Sequence, residues 1–173
     1  MRCCPIVFLL AASAAMAQTG PSNPVIASSK VFYSNAKQDI LRSADKIPED
    51  KWAFKPTDGV RTIGQLFAHV ADGQYEFCGG AAGNHDQKNV EQTAKTKADI
   101  VAALKTAFAY CDEIYANMTD AKAMELMPAF GGAKLTRLSM LDFNVAHTME
   151  HYGNLVTYMR IQGIVPPSSE SRR

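Results

Sequence analysis

Apolar residues recur at helical intervals along four stretches of the chain, with polar or Pro- and Gly-bearing segments between them. In residues 25–47 the positions Val31, Phe32, Ile40, Leu41 and Ala44 form the first such stripe, and Pro48 stops it. The following Pro48-Glu-Asp-Lys-Trp-Ala-Phe-Lys-Pro56 reads as an extended connector whose Trp52 and Phe54 pack on the helices. Asp58-Gly59 marks a turn, and Thr62-Ile-Gly-Gln65 has the form of a capping box. A second helix is expected over residues 63–77, its inner stripe being Ile63, Leu66, Phe67, Val70 and Phe77.

Residues 79–86, glycine-rich, read as a flexible loop. No strand precedes them and no Gly-Lys-Ser/Thr follows, so they do not form a phosphate loop. The third helix is expected over residues 95–118, with Ile100, Leu104, Ala107, Phe108, Cys111 and Tyr115 facing inward. A long connection follows, carrying Pro128, Gly131 and Gly132. The fourth helix then runs over residues 136–163, capped by Gly163 ahead of Pro166-Pro167. Four helices without a convincing strand predict an all-α, four-helix bundle over residues 25–167. A leader (18–24) and a polar tail (168–173) flank it, both expected to be mobile.

The first seventeen residues change the picture. Arg2 supplies a positive start, residues 6–15 an apolar run, and Ala15-Met16-Ala17 a small-x-small cleavage site. They predict a signal peptide cut before Gln18, hence an exported protein, periplasmic or secreted, with no stable membrane span after cleavage. The position after the expected cut is Gln18 and not Cys, so a lipoprotein anchor is not expected. The full chain of 173 residues has 18 basic and 17 acidic residues. Removing Arg2 leaves the two signs balanced, and without a basic run nucleic acid is not expected as a partner. Cys3 and Cys4 leave with the signal. Cys78 and Cys111 remain, either paired as export allows or as two buried thiols.

Candidate chemistry centres on His147-Thr-Met-Glu-His151. Two histidines four apart share one helix face and can reach one divalent ion. The first lacks a following Glu, so this is not the zinc-protease motif. Two stretches together resemble the DinB/YfiT-like family of metalloenzymes. One is Ile47-Pro-Glu-Asp-Lys-Trp-Ala-Phe-Lys-Pro56 through Thr62-Ile-Gly-Gln-Leu-Phe-Ala-His69-Val. The other is His147-Thr-Met-Glu-His151-Tyr-Gly-Asn with Tyr158-Met-Arg160-Ile-Gln-Gly163-Ile-Val-Pro-Pro167.

The resemblance implies that His69, His147 and His151 bind one divalent metal, zinc or nickel, with His85 outside the site. Three protein ligands leave positions open for water or substrate, as catalytic sites do. Helical spacing makes Asp72 and Gln65 candidates to orient His69, and sets Asn144, Asn154 and Tyr158 at the mouth of the site. Glu150 is a candidate base or a solvated residue. Family members with assigned chemistry use low-molecular-weight thiols, as transferases or an isomerase. Such reductants are scarce outside the cytoplasm, which makes metal-assisted hydrolysis of a small-molecule substrate equally weighted with transfer. The alternative is a bundle that binds metal or a small ligand without turnover. A homodimer is left open.

Overall fold

The computed structural model describes residues 21–85 and 87–170. The expected signal peptide (1–17), residues 18–20 of the leader and residues 171–173 of the tail lie outside the described residues. Helix α1, Pro24–Lys46, starts with proline at its first turn, where a missing N–H costs nothing. The carboxylate of Asp120 accepts the N–H groups of Val25 and Ile26 at 3.0 and 2.9 Å, capping that turn from across the fold.

Helix α2, Ile63–Gly73, opens with the capping box: Gln65 N–H donates to Thr62 Oγ1 and Thr62 N–H to Gln65 Oε1. The helix does not stop near Phe77. It widens into a π turn, Gln74–Cys78, and continues as α3, Gly79–Ala82. The glycine-rich segment expected as a loop is therefore helical through Ala82 and buried at Gly79, Gly80 and Ala81. Gly83, at φ +86, caps it in the left-handed conformation that glycine adopts without strain.

A short helix α4, Val90–Thr93, precedes α5, Lys97–Asn117, which carries a second capping box from Thr96 and Asp99. Another short helix, α6, Asp120–Ala123, leads into a hairpin that the pattern did not announce. Strand β1, Leu126–Pro128, pairs antiparallel with β2, Lys134–Thr136, in the register Met127↔Leu135. Its turn passes through Gly131 and Gly132. Helix α7, Arg137–Ile161, then returns the chain. It ends in a Schellman motif, Ile164 N–H donating to Met159 O and Gly163 N–H to Arg160 O.

In cross-section α1 packs on α5 and α7, and α2 packs on the same two helices from the other side. These are the four members of the bundle, and the hairpin is its only sheet among the described residues. The core runs through Tyr33, Ile40, Ile63, Phe67, Leu104, Phe108, Leu141 and Leu155, all essentially inaccessible to solvent. Burying each such side chain stabilises the fold by roughly 1.5–3 kcal/mol before chain entropy is counted. Trp52 and Phe54 pack as expected. Trp52 packs at a tilt against the Phe67 ring and donates its indole N–H to Ile47 O at 3.1 Å, and Phe54 meets the Tyr158 ring edge-on.

The face of α1 differs from the expected one: Val31 and Phe32 are 58% and 66% exposed, while Ile26, Tyr33, Ala36, Ile40 and Ala44 point inward. The start of the tail is also anchored rather than loose. Ser168 N–H donates to the Tyr152 hydroxyl, and Glu170 pairs with Arg42 and Lys46. Cys78 and Cys111 are joined in a disulfide, Cα to Cα 5.5 Å, tying the π turn to α5. No helix among the described residues is long and apolar enough to cross a membrane.

Candidate metal centre

Helix α2 presents His69, and α7 presents His147 and His151 on one face. Nε2 of His147 lies 3.2 Å from Nε2 of His69 and 3.1 Å from Nε2 of His151. One ligand atom from each of the three lies within 4.8 Å of the others. Hydrogen bonding alone satisfies this arrangement poorly, because the Nε2 of His147 has either one proton or one lone pair and faces two partners. A cation among them would take a lone pair from all three. Two nitrogens each about 2.1 Å from one ion at a near-tetrahedral angle sit about 3.3–3.4 Å apart, close to the spacings found. These three side chains could hold a metal ion.

Packing fixes the imidazoles. A Cβ on Gly73 would fall 2.7 Å from Cε1 and 2.9 Å from Nδ1 of His147, so the ring lies directly on the α2 backbone where only glycine leaves room. Phe77, in the π turn, meets the same ring edge-on with centroids 5.0 Å apart. Burial pushes the pKa of His147 down to about 4, helped by the charges of His151, His69 and Arg61. Burial also lowers that of His151, with His69 adding to it and Glu150 and Glu91 opposing. Both rings are thus neutral near pH 7, the form in which imidazole ligates.

Beneath the histidines a buried polar network joins the two helices. Gln74, from the π turn, donates to Thr148 Oγ1 at 3.1 Å and accepts from Asn144 Nδ2 at 2.8 Å. Asn144 Nδ2 also lies 3.4 and 3.6 Å from the sulfurs of Cys78 and Cys111. Thr148 stands beside His147 in sequence, so this network sets the register of α7 against α2 at the level of the site.

An acid from outside the bundle completes the surround. The carboxylate of Asp72 accepts the N–H groups of Val90 and Glu91 at 2.6 and 2.9 Å, seating α4 on α2. That places Glu91 Oε2 3.2 Å from Nδ1 of His69, while Glu91 Oε1 accepts the Nε–H of Arg61 at 2.9 Å. A carboxylate on the far nitrogen of a ligating histidine fixes the ring and raises its basicity. Beside the cluster opens a polar cleft of about 610 Å³, lined by His151, Arg61, Glu91, Glu150, Asn154 and Tyr158 among others.

The profile of the DinB superfamily matches residues 33–155. The chain belongs to the DinB superfamily. Its relatives include the uncharacterized protein YjoA of Bacillus subtilis strain 168, 24% identical over 123 residues that span 69% of this chain and 79% of that one. The crystal structure of YjoA matches the fold with a TM-score of 0.68, at 23% identity, over 87% of this chain and all of that chain. A DinB-like protein from Bacillus cereus ATCC 10987 matches with a TM-score of 0.71, at 15% identity, over 82% of this chain and 95% of that one.

Within this DinB bundle the three expected histidines converge, and His85 is not part of the cluster. The supporting residues are partly rearranged from expectation. Asp72 does not touch His69; it holds α4, and Glu91 makes the contact instead. Gln65 is committed to the capping box. Asn144 is fully buried below the site rather than at its mouth, whereas Asn154, Tyr158 and Glu150 do line the cleft.

Proposed function

We propose that His69, His147 and His151 hold one divalent ion, zinc or nickel, in an exported enzyme acting on a small molecule by metal-assisted hydrolysis or transfer. The observation that carries this reading is the convergence of three Nε2 atoms from two helices beside an open polar cleft. Neutral imidazole donors suit zinc, nickel and copper better than calcium or magnesium. When bound, such an ion supplies Lewis-acid activation of water or of a substrate group.

This chain's residues do the rest. Glu91 keeps the Nδ1 proton on His69, so that its Nε2 faces the cluster. The neutral state of His147 and His151 leaves their lone pairs free at pH 7. Glu150, exposed on the cleft wall next to His151, accepts the proton released from the attacking group. Export is supported by the apolar run and cleavage site of residues 1–17 and by the Cys78–Cys111 disulfide, which an oxidising compartment maintains. That compartment lacks a supply of reducing thiols and tilts the reaction toward hydrolysis.

The test is metal analysis of mildly purified protein, followed by an activity screen of metal-loaded wild type against His147→Ala. The expected result is about one ion per chain, with esterase, amidase or phosphatase turnover in the wild type alone. Stoichiometric metal without turnover on any class would favour the non-catalytic binder. No metal after mild purification and none taken up on loading would refute the site.

A further inference from the structure

Arg61 stands at the cleft with most of its donors uncommitted. Its Nε–H is given to Glu91, and its terminal nitrogens make no hydrogen bond or ion pair among the described residues. A guanidinium presents five N–H donors in a planar fork that matches a carboxylate. Glu91 cannot absorb them, since its other oxygen is engaged by His69. The side chain is held at its Nε and is 40% exposed, so the fork is oriented yet reachable. A single carboxylate separates it from the cluster, since Glu91 meets Arg61 Nε with one oxygen and His69 Nδ1 with the other, and Arg61 and His151 line the same cleft.

Two more features of the lining agree. The Tyr158 hydroxyl has no hydrogen-bond partner among the described residues, although its ring is fixed against Phe54. Lys55 gives two of its three donors to Asp58, so Arg61 is the cation of the lining with the most uncommitted donors. Glu150, a lining carboxylate without an ion pair among the described residues, makes the cleft less receptive to a dianion such as a phosphate monoester than to a single carboxylate.

We propose that Arg61, assisted by the Tyr158 hydroxyl, seats a carboxylate of the substrate in this cleft, so that the substrate's reacting group falls at the three histidines. The substrate class is then a small molecule bearing a carboxylate a few bonds from the group attacked. This rests on the metal reading above.

The experiment uses the cobalt-loaded mature chain and follows its visible absorption as hydroxamates are added. Acetohydroxamate reports binding at the metal alone; the monohydroxamates of malonic, succinic and glutaric acid add a carboxylate at increasing reach. At least one of the three should bind tenfold or more tighter than acetohydroxamate. Arg61→Gln should remove that preference, read as the ratio to acetohydroxamate measured on the same variant. Arg61→Lys should keep part of it, and Tyr158→Phe should reduce it severalfold. If Arg61→Gln fails to fold, Arg61→Lys and Tyr158→Phe decide. No preference in the wild type across all three lengths, or a preference unchanged in the Arg61 and Tyr158 variants, overturns the carboxylate seat and leaves the metal reading standing. A chain that takes up no cobalt overturns both.

Discussion

Gly73→Ala tests how the site is built with the smallest available change. Gly73 lies in helical conformation, so adding a methyl group should ordinarily stabilise the chain by about 0.5–1 kcal/mol. Here the new Cβ would stand 2.7 Å from Cε1 and 2.9 Å from Nδ1 of His147, inside any tolerated contact. The ring must move, and Phe77 on its other side limits where it can go. Overpacking of this kind costs about 1–3 kcal/mol, so net stability should fall by about 0–2 kcal/mol and the fold should survive. Metal affinity should suffer more, because one ligand of three is displaced. Disturbing the support of a ligand costs about 10–100-fold, which is about 1.4–2.7 kcal/mol of binding. Competition against a chromophoric chelator gives the affinity, and urea unfolding of the metal-free protein gives the stability. Gly153→Ala is the control: it too is helical, and its Cβ would meet nothing within 4 Å. It should raise stability by about 0.5–1 kcal/mol and leave affinity unchanged. If Gly73→Ala binds metal within twofold of wild type, His147 is not seated by this contact and the site's architecture has been misread.

Three further outcomes are expected. Chelation should lower the melting temperature without unfolding the protein, and His147→Ala should abolish the metal-dependent gain, which is about 2.7 kcal/mol at 100 times the dissociation constant; an unfolded apo protein would make the metal structural. In the apo protein the unfolded chain takes up a proton at His147 near pH 6.5, whereas the folded chain does so only near pH 4. Stability is therefore complete above pH 6.5 and falls as pH drops through that window, by about 1–2 kcal/mol once solvent screening is allowed for. Urea midpoints at pH 7.5 and 4.5 should show a smaller drop for His147→Ala than for wild type, and equal drops would contradict the assignment. Reducing the Cys78–Cys111 bond, which spans 33 residues, should cost about 3–4 kcal/mol on the chain-entropy estimate; denatured, unreduced mature protein should show no free thiol to a labelling reagent.

How far the fold was legible depends on whether a local rule or a tertiary contact decided each element. Thr62 with Gln65, and Gly163 ahead of two prolines, are local devices, and both act as their spacing suggests. Helix α1 carries two apolar faces. Periodicity alone could not rank the Val31–Phe32 face below the one through Tyr33 and Ile40, which is buried because α5 and α7 lie on that side. Residues 79–82 read as a loop because glycine disfavours helix, yet a Cβ at Gly79 would press 2.8 Å from Asn84 O. Close packing chose glycine there and overrode propensity. The hairpin strands have three residues each, too few for alternation to register.

The site divides along the same line. His147 and His151 are separated by one helical turn and could be read as a pair, and the family pattern added His69. Glu91 could not be read, since its place depends on Asp72 gripping the backbone of a four-residue helix. One signal was present in α7. Leu141, Asn144, Thr148, His151, Leu155 and Tyr158 step by three and four residues along a seam that is buried throughout. Such a seam is ordinarily apolar from end to end, because an unpaired polar group in a core costs about 1–3 kcal/mol. Three consecutive seam positions here are polar. Thr148 and the amide nitrogen of Asn144 meet that cost through Gln74, which the widened π turn of α2 brings into the core, while Asn144 Oδ1 has no partner among the described residues. His151 meets it only at Nε2, against His147, and its buried Nδ1 has no partner among the described residues. The polar interruption of α7 and the π turn opposite it are thus one feature, a stretch of the bundle where apolar packing yields to a hydrogen-bonded floor beneath three converging nitrogens.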